Sequence, residues 1–122
     1  MIACVPVGDA SVIDPRWGRA DRLAIAEVLD GQMVSWQEFD VGWSRLHDEG
    51  TEGSHHARVV RFLLEHRVQA VVAGHMGDAM VHMLEKLGMQ VHLGAIGDAR
   101  VAVRATITSH ENAAPQPGHT TL

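Results

Sequence analysis

The segment QAVVAGHMGDAMVHMLEKLGMQVHLGA, residues 69–95, constrains the fold more than any other part of the chain. QAVVAG is short and apolar, which suits a buried strand. DAMVHMLEKLG places Ala79, Met80, Met83, Leu84 and Leu87 along one helical stripe and ends on Gly88, the residue type that closes helices. QVHLGA, residues 90–95, is a second short apolar run. A strand, a helix and a second strand in this order build a sheet with helices packed on it. In such sheets ligands bind in the crevice beyond the carboxyl ends of parallel strands, and His75 stands at such an end, between Gly74 and the start of a helix.

The rest of the chain completes that sheet. Met1–Val7 reads as a central strand stopped by the turn pair Gly8-Asp9. Residues 13–20, IDPRWGRA, carry Asp14-Pro15 and Gly18 and so form a loop presenting Arg16, Trp17 and Arg19. Residues 22–41 are two strand-like runs around Asp30-Gly31, a strong hairpin signal that predicts an antiparallel pair, the second run near a sheet edge. From Gly42 to Gly53 the chain is polar and without period, which predicts a functional or mobile loop. Ser54 is placed to cap a helix over HHARVVRFLLEH, with His55 and His56 in its first turn and Val59, Phe62 and Leu63 facing the core. GDARVAVRATI is a weaker helical pattern because of its β-branched residues. These elements give one domain over residues 1–108, and residues 109–122 read as a flexible tail.

Composition narrows the function. Ten basic against fifteen acidic side chains give a net charge of −5, which argues against a nucleic-acid partner. No apolar stretch approaches the ~18 residues of a membrane span, and no basic region followed by a long apolar segment opens the chain. The single cysteine, Cys4, cannot form an internal disulfide, so a cytoplasmic location is expected. Nine histidines against no tyrosine raise the question of metal, since imidazole is the commonest metal ligand.

The order IACVPV, WGRA, SHHARVVRFLLEH, AVVAGHMGDAM and LEKLGMQVHLGAIGDARVAV resembles the dinitrogenase iron-molybdenum cofactor biosynthesis family, over roughly residues 1–104. The resemblance implies an α/β, ribonuclease-H-like fold: a five-stranded mixed sheet, second strand antiparallel, flanked by helices. It also implies a small carrier or scaffold for nitrogenase-cofactor precursors. The family's phenylalanine-glycine-arginine-alanine loop corresponds to Trp17-Gly18-Arg19-Ala20, and its glycine-rich turn to Gly74-His75-Met76-Gly77. Many relatives carry asparagine and isoleucine in place of His75 and Met76, and a proline-asparagine pair in place of Asp78-Ala79. The paired His55-His56 likewise replaces glycine and small residues. Nucleases of this fold hold magnesium on a carboxylate within the first strand, where this chain has Ala3-Cys4-Val5.

The candidate site follows from these parts. His75 is the leading metal ligand, its alternative being a loop imidazole that only hydrogen-bonds. His55 or His56 could assist, although neighbours on a helix diverge by about 100° and only one can face the crevice. A helix N-terminus keeps such a ring neutral, as a ligand must be. Arg16 and Arg19 would clamp the periphery of an anionic cargo with Trp17 as a wall, or else form a surface loop whose indole packs on the core. Gly18, Gly74, Met76 and Gly77 complete the binding set, the glycines by letting backbone N–H groups approach. His47 lies in the polar loop and could close over a ligand, and Cys4 is expected in the core. The reading is therefore a non-enzymatic carrier or scaffold for an iron-sulfur or iron-molybdenum-type metallocluster or its precursor, with cofactor-assembly proteins as partners. The alternative is a small-anion or nucleotide-binding regulatory module without metal, against which stands the lack of a glycine-lysine-serine phosphate loop.

Overall fold

The computed structural model describes residues 1–113. In chain order the elements are β1 (Ile2–Pro6), β2 (Arg22–Leu29), β3 (Gln32–Asp40), α1 (Trp43–Leu46), α2 (Glu52–Glu65), β4 (Ala70–Val72), α3 (Asp78–Lys86), β5 (Gln90–His92) and α4 (Ala99–Ala113). The strands form one five-stranded sheet in the order β3-β2-β1-β4-β5. β1 pairs antiparallel with β2 and parallel with β4, and β4 pairs parallel with β5. This is the mixed α/β sheet with an antiparallel second strand that the sequence led us to expect. The hairpin turns where Asp30 and Gly31 adopt φ of 51° and 77°, the left-handed conformation that a two-residue hairpin loop requires.

Side chains alternate across each strand and so build two cores. Cys4, Leu23 and Val71 face α2 and α3, where Val59, Leu63, Met80 and Leu84 cover them. Ala3, Val5, Ala24, Ala26, Ala70 and Val72 face α4, which presents Ala99, Val103 and Ile107 one turn apart. The alanines on that side let α4 lie close to the sheet, while the larger side chains fill the α2–α3 side. Burying a leucine such as Leu63 or Leu84, both with no exposed surface, contributes ~1.5–3 kcal/mol.

The structure revises several local readings. α2 starts at Glu52, because Thr51 rather than Ser54 is its cap: the Thr51 side chain accepts from the Ser54 N–H, and Ser54 Oγ accepts from the Thr51 N–H. His55 and His56 consequently stand in the second turn, not the first. The polar stretch 42–53 contains α1, anchored by Asp21, whose carboxylate accepts from the Ser44 N–H and hydroxyl, and by Trp43, which is 2% exposed. On α3, Ala79 and Leu87 lie outside, leaving Met80 and Leu84 as the buried stripe. β5 ends at His92, since Gly94 turns away at φ 86°. The weak last pattern is a full helix that continues to Ala113, and the remainder of the expected tail, residues 114–122, lies outside the described residues.

Candidate functional site

The segment after β1, the turn after β4 and the front of α2 meet around a cavity of about 350 Å³ beyond the carboxyl ends of β1 and β4. Arg16, Trp17, Gly18, Arg19, His55, His56, His75, Met76 and Gly77 line it, so the structure brings together every candidate residue except Gly74. Gly74 instead borders an adjoining apolar groove with Ile13, Pro15 and Ala95. There a Cβ would come within 3.3 Å of the Ala95 carbonyl oxygen, and the Gly74 carbonyl accepts from the Gly94 N–H at 2.9 Å. Its glycine therefore serves the close approach of the β4 and β5 turns rather than a ligand. His47, Glu52 and Met80 also line the cavity.

The walls have distinct characters. Trp17 is 4% exposed and meets Trp43 edge to face, with ring centroids 5.7 Å apart. Its indole N–H is buried and meets no hydrogen-bond partner among the described residues. His75 is exposed at the cavity edge, while Met76 and Met80 are buried in its floor. α3 begins at Asp78 behind Gly77, which as the N-cap has no side chain to accept from it, so its first N–H groups are left for solvent or a ligand. His56 lies 3.8 Å from Glu52 across one helical turn.

Both candidate clamp arginines already have carboxylate partners. Arg16 places Nε and Nη2 at 3.1 and 3.2 Å from the two oxygens of Asp14, which is 6% exposed. Arg19 Nη2 donates to Asp48 at 3.3 Å, and the hydrogen bond from His47, followed by that from Arg19 and its charge, holds the Asp48 carboxyl below the usual carboxylate range. The guanidiniums are thus oriented, each with N–H groups left over, but the local positive charge is largely balanced.

His55 is 2% exposed and has both ring nitrogens engaged. Nε2 lies 2.8 Å from the Gly18 carbonyl oxygen, which can only accept, so Nε2 carries the proton. Nδ1 lies 2.7 Å from Arg58 Nη1, which can only donate, so Nδ1 is bare. The ring is neutral, and burial pushes its pKa below the ordinary value, the Gly18 carbonyl opposing and His47, Arg58 and His56 adding to the shift. As placed, His55 has no lone pair to offer a metal. His56 and His75 are the imidazoles left from the candidate set, and His47, whose ring centroid is 5.0 Å from that of His55, joins them.

Thiolate ligation has no support in this geometry. Cys4, the one cysteine of the chain, lies with no exposed surface in the middle of β1, and burial pushes its thiol pKa far up. Among the described residues no group of three or more His, Cys, Asp or Glu side chains is placed to hold a metal ion. A cargo containing metal would therefore have to bring most of its own ligands. None of the described helices is long and apolar enough to cross a membrane.

The molecule is thus an α/β domain with a cavity beyond the carboxyl ends of its parallel strands, the place where sheets of this kind bind ligands. The family model described as "Dinitrogenase iron-molybdenum cofactor" matches residues 1–109, and the chain belongs to that family. Among solved structures, the protein PH0822 is similar with a TM-score of 0.72 and 16% identity, over 89% of this chain and 90% of that one. The apo form of the orange protein from Desulfovibrio gigas gives 0.69 and 20% identity, over 88% of each chain. A candidate NifB protein from Thermotoga gives 0.64 and 19%, over 87% and 86%. At these identities the likenesses establish the shared fold. No functionally curated protein matches the sequence.

Two site residues lay beyond the sequence reading. Arg58 stands three positions after His55, a spacing that puts side chains together on a helix, and this was the available signal. Glu52 entered only because the helix begins earlier than Ser54.

Proposed function

We propose that this chain is a non-enzymatic carrier or scaffold for an anionic, sulfur-bearing metallocluster of the iron-molybdenum type, or for its precursor. The observation that carries the reading is the convergence of His75, His56 and His47 with Arg16 and Arg19 on one cavity at the carboxyl ends of parallel strands. Its volume falls within the ~300–1,000 Å³ of small-molecule sites. With Cys4 sealed in the core, the cargo would be held by imidazole, by the N–H groups opening α3 and by the outer edges of the guanidiniums. It would arrive with its own sulfide. No nucleophile with a paired base faces the cavity among the described residues, which favours holding over turnover. A carrier of this kind needs cofactor-assembly proteins to supply and receive its cargo.

The uncapped start of α3 beside two arginines also suits a simple oxyanion, which is the ground for the second reading, a small-anion or nucleotide-binding module. Anaerobic equilibrium dialysis against tetrathiomolybdate and, separately, inorganic phosphate tests the two. The carrier reading predicts saturable retention of about one thiometalate per chain and none of phosphate. The reverse result supports the oxyanion module, and retention of neither removes the ground for both.

A further inference from the structure

The contacts around His55 cross three segments that are distant in sequence. Arg58 Nη1 reaches both His55 Nδ1 at 2.7 Å and the Leu46 carbonyl oxygen at 3.4 Å, and His55 Nε2 donates to the Gly18 carbonyl at 2.8 Å. The end of α1, the body of α2 and the 3-10 turn at Trp17–Arg19 are thereby joined through one imidazole. No polar side chain caps that turn. Within the turn the Arg19 N–H donates to the Arg16 carbonyl at 3.1 Å, and outside it the Trp43 N–H donates to the Ala20 carbonyl, Arg19 pairs with Asp48 and Trp17 meets Trp43 edge to face; among these described contacts none takes up the Gly18 carbonyl oxygen.

We infer that His55 and Arg58 are positioning residues for cargo binding: they set the height of the Trp17–Arg19 turn over the cavity without touching the cargo themselves. The inference rests on the proposed binding role of that cavity. Arg58 selects the ring state, because a guanidinium can only donate, and the bare Nδ1 it requires leaves the proton on Nε2 for the Gly18 carbonyl. The relay then orients that peptide, and with it the flanking Trp17 and Arg19. An imidazole in this position cannot be exchanged for an apolar residue of similar size at no cost, since the Gly18 carbonyl would lose the Nε2–H donor and Arg58 Nη1 would keep only the longer contact to the Leu46 carbonyl.

The test uses the full chain as wild type, His55→Ala, His55→Gln and Arg58→Met. Glutamine is included because its amide N–H₂ can replace Nε2–H toward Gly18. Tetrathiomolybdate affinity by anaerobic dialysis should fall about tenfold or more in His55→Ala and Arg58→Met and return to within about threefold of wild type in His55→Gln. Imidazole nitrogen resonances of the wild type should show His55 protonated on Nε2 alone, with that pattern lost in Arg58→Met. Amide exchange at Arg19 should accelerate in His55→Ala and recover in His55→Gln. Should the wild type fail to hold the thiometalate, the binding reading fails and the two resonance measurements decide the positioning role alone. Wild-type affinity in His55→Ala and Arg58→Met overturns the inference. So does an Nδ1-protonated ring, or Arg19 exchange unchanged across the series.

Discussion

Trp17 and Trp43 meet edge to face with centroids 5.7 Å apart, and through this contact the cavity wall is fastened to a helix of only four residues. Trp43 is 2% exposed and also meets Phe62 on α2 at 6.0 Å, so it joins the turn, α1 and α2. Trp43→Ala should cost about 3–5 kcal/mol in chemical denaturation. Trp17→Phe should cost about 1 kcal/mol or less, because the indole N–H it removes has no partner to lose.

The depressed pKa of His55 makes stability depend on pH in a defined direction. Above the ordinary value of 6.5 the ring is neutral in the folded and unfolded chain alike, and its contribution is complete. As pH falls below that value the unfolded chain takes up the proton first, so stability declines until the lower folded pKa is passed. Denaturation of wild type and His55→Gln between roughly pH 7 and 5 should show the wild type losing more stability than the variant. Parallel curves would contradict the buried, neutral ring.

Arg19 separates binding from stability. Its pair with Asp48 is exposed on both sides, and such pairs contribute ~0–1 kcal/mol, so Arg19→Ala should melt close to wild type. The same variant should bind tetrathiomolybdate more weakly, with a smaller loss of affinity on adding salt. Dialysis at low and at moderate ionic strength reads both effects.

The hairpin and the strand–helix–strand unit were legible because each rests on local chemistry: a left-handed Asp30-Gly31 pair, short continuous apolar runs in β1 and β4, and a glycine closing α3. α1 was not legible, since four residues are too few to show a period and Trp43 takes its place from tertiary burial. The cap of α2 was misplaced because Thr51 and Ser54 are both competent caps, and the reciprocal hydrogen bonds between them decide which acts. His75 and the Trp17–Arg19 turn reached one cavity as the topology required. The role of His55 could not be read from residue type, because it depends on the Gly18 carbonyl arriving from 37 residues away.

Everything proposed here turns on whether the cavity retains a sulfur-bearing metal cargo with His75 at its edge. The most direct measurement is metal and sulfide content per chain, with the visible spectrum, after anaerobic cluster reconstitution and desalting of untagged wild type and His75→Ala. His75 is exposed, so its removal should leave stability within about 0.5 kcal/mol of wild type. Wild-type protein should come out coloured with stoichiometric metal and sulfide, and the variant folded and colourless. Colourless, metal-free wild type would contradict cargo retention, and equal retention by both proteins would remove His75 from the site.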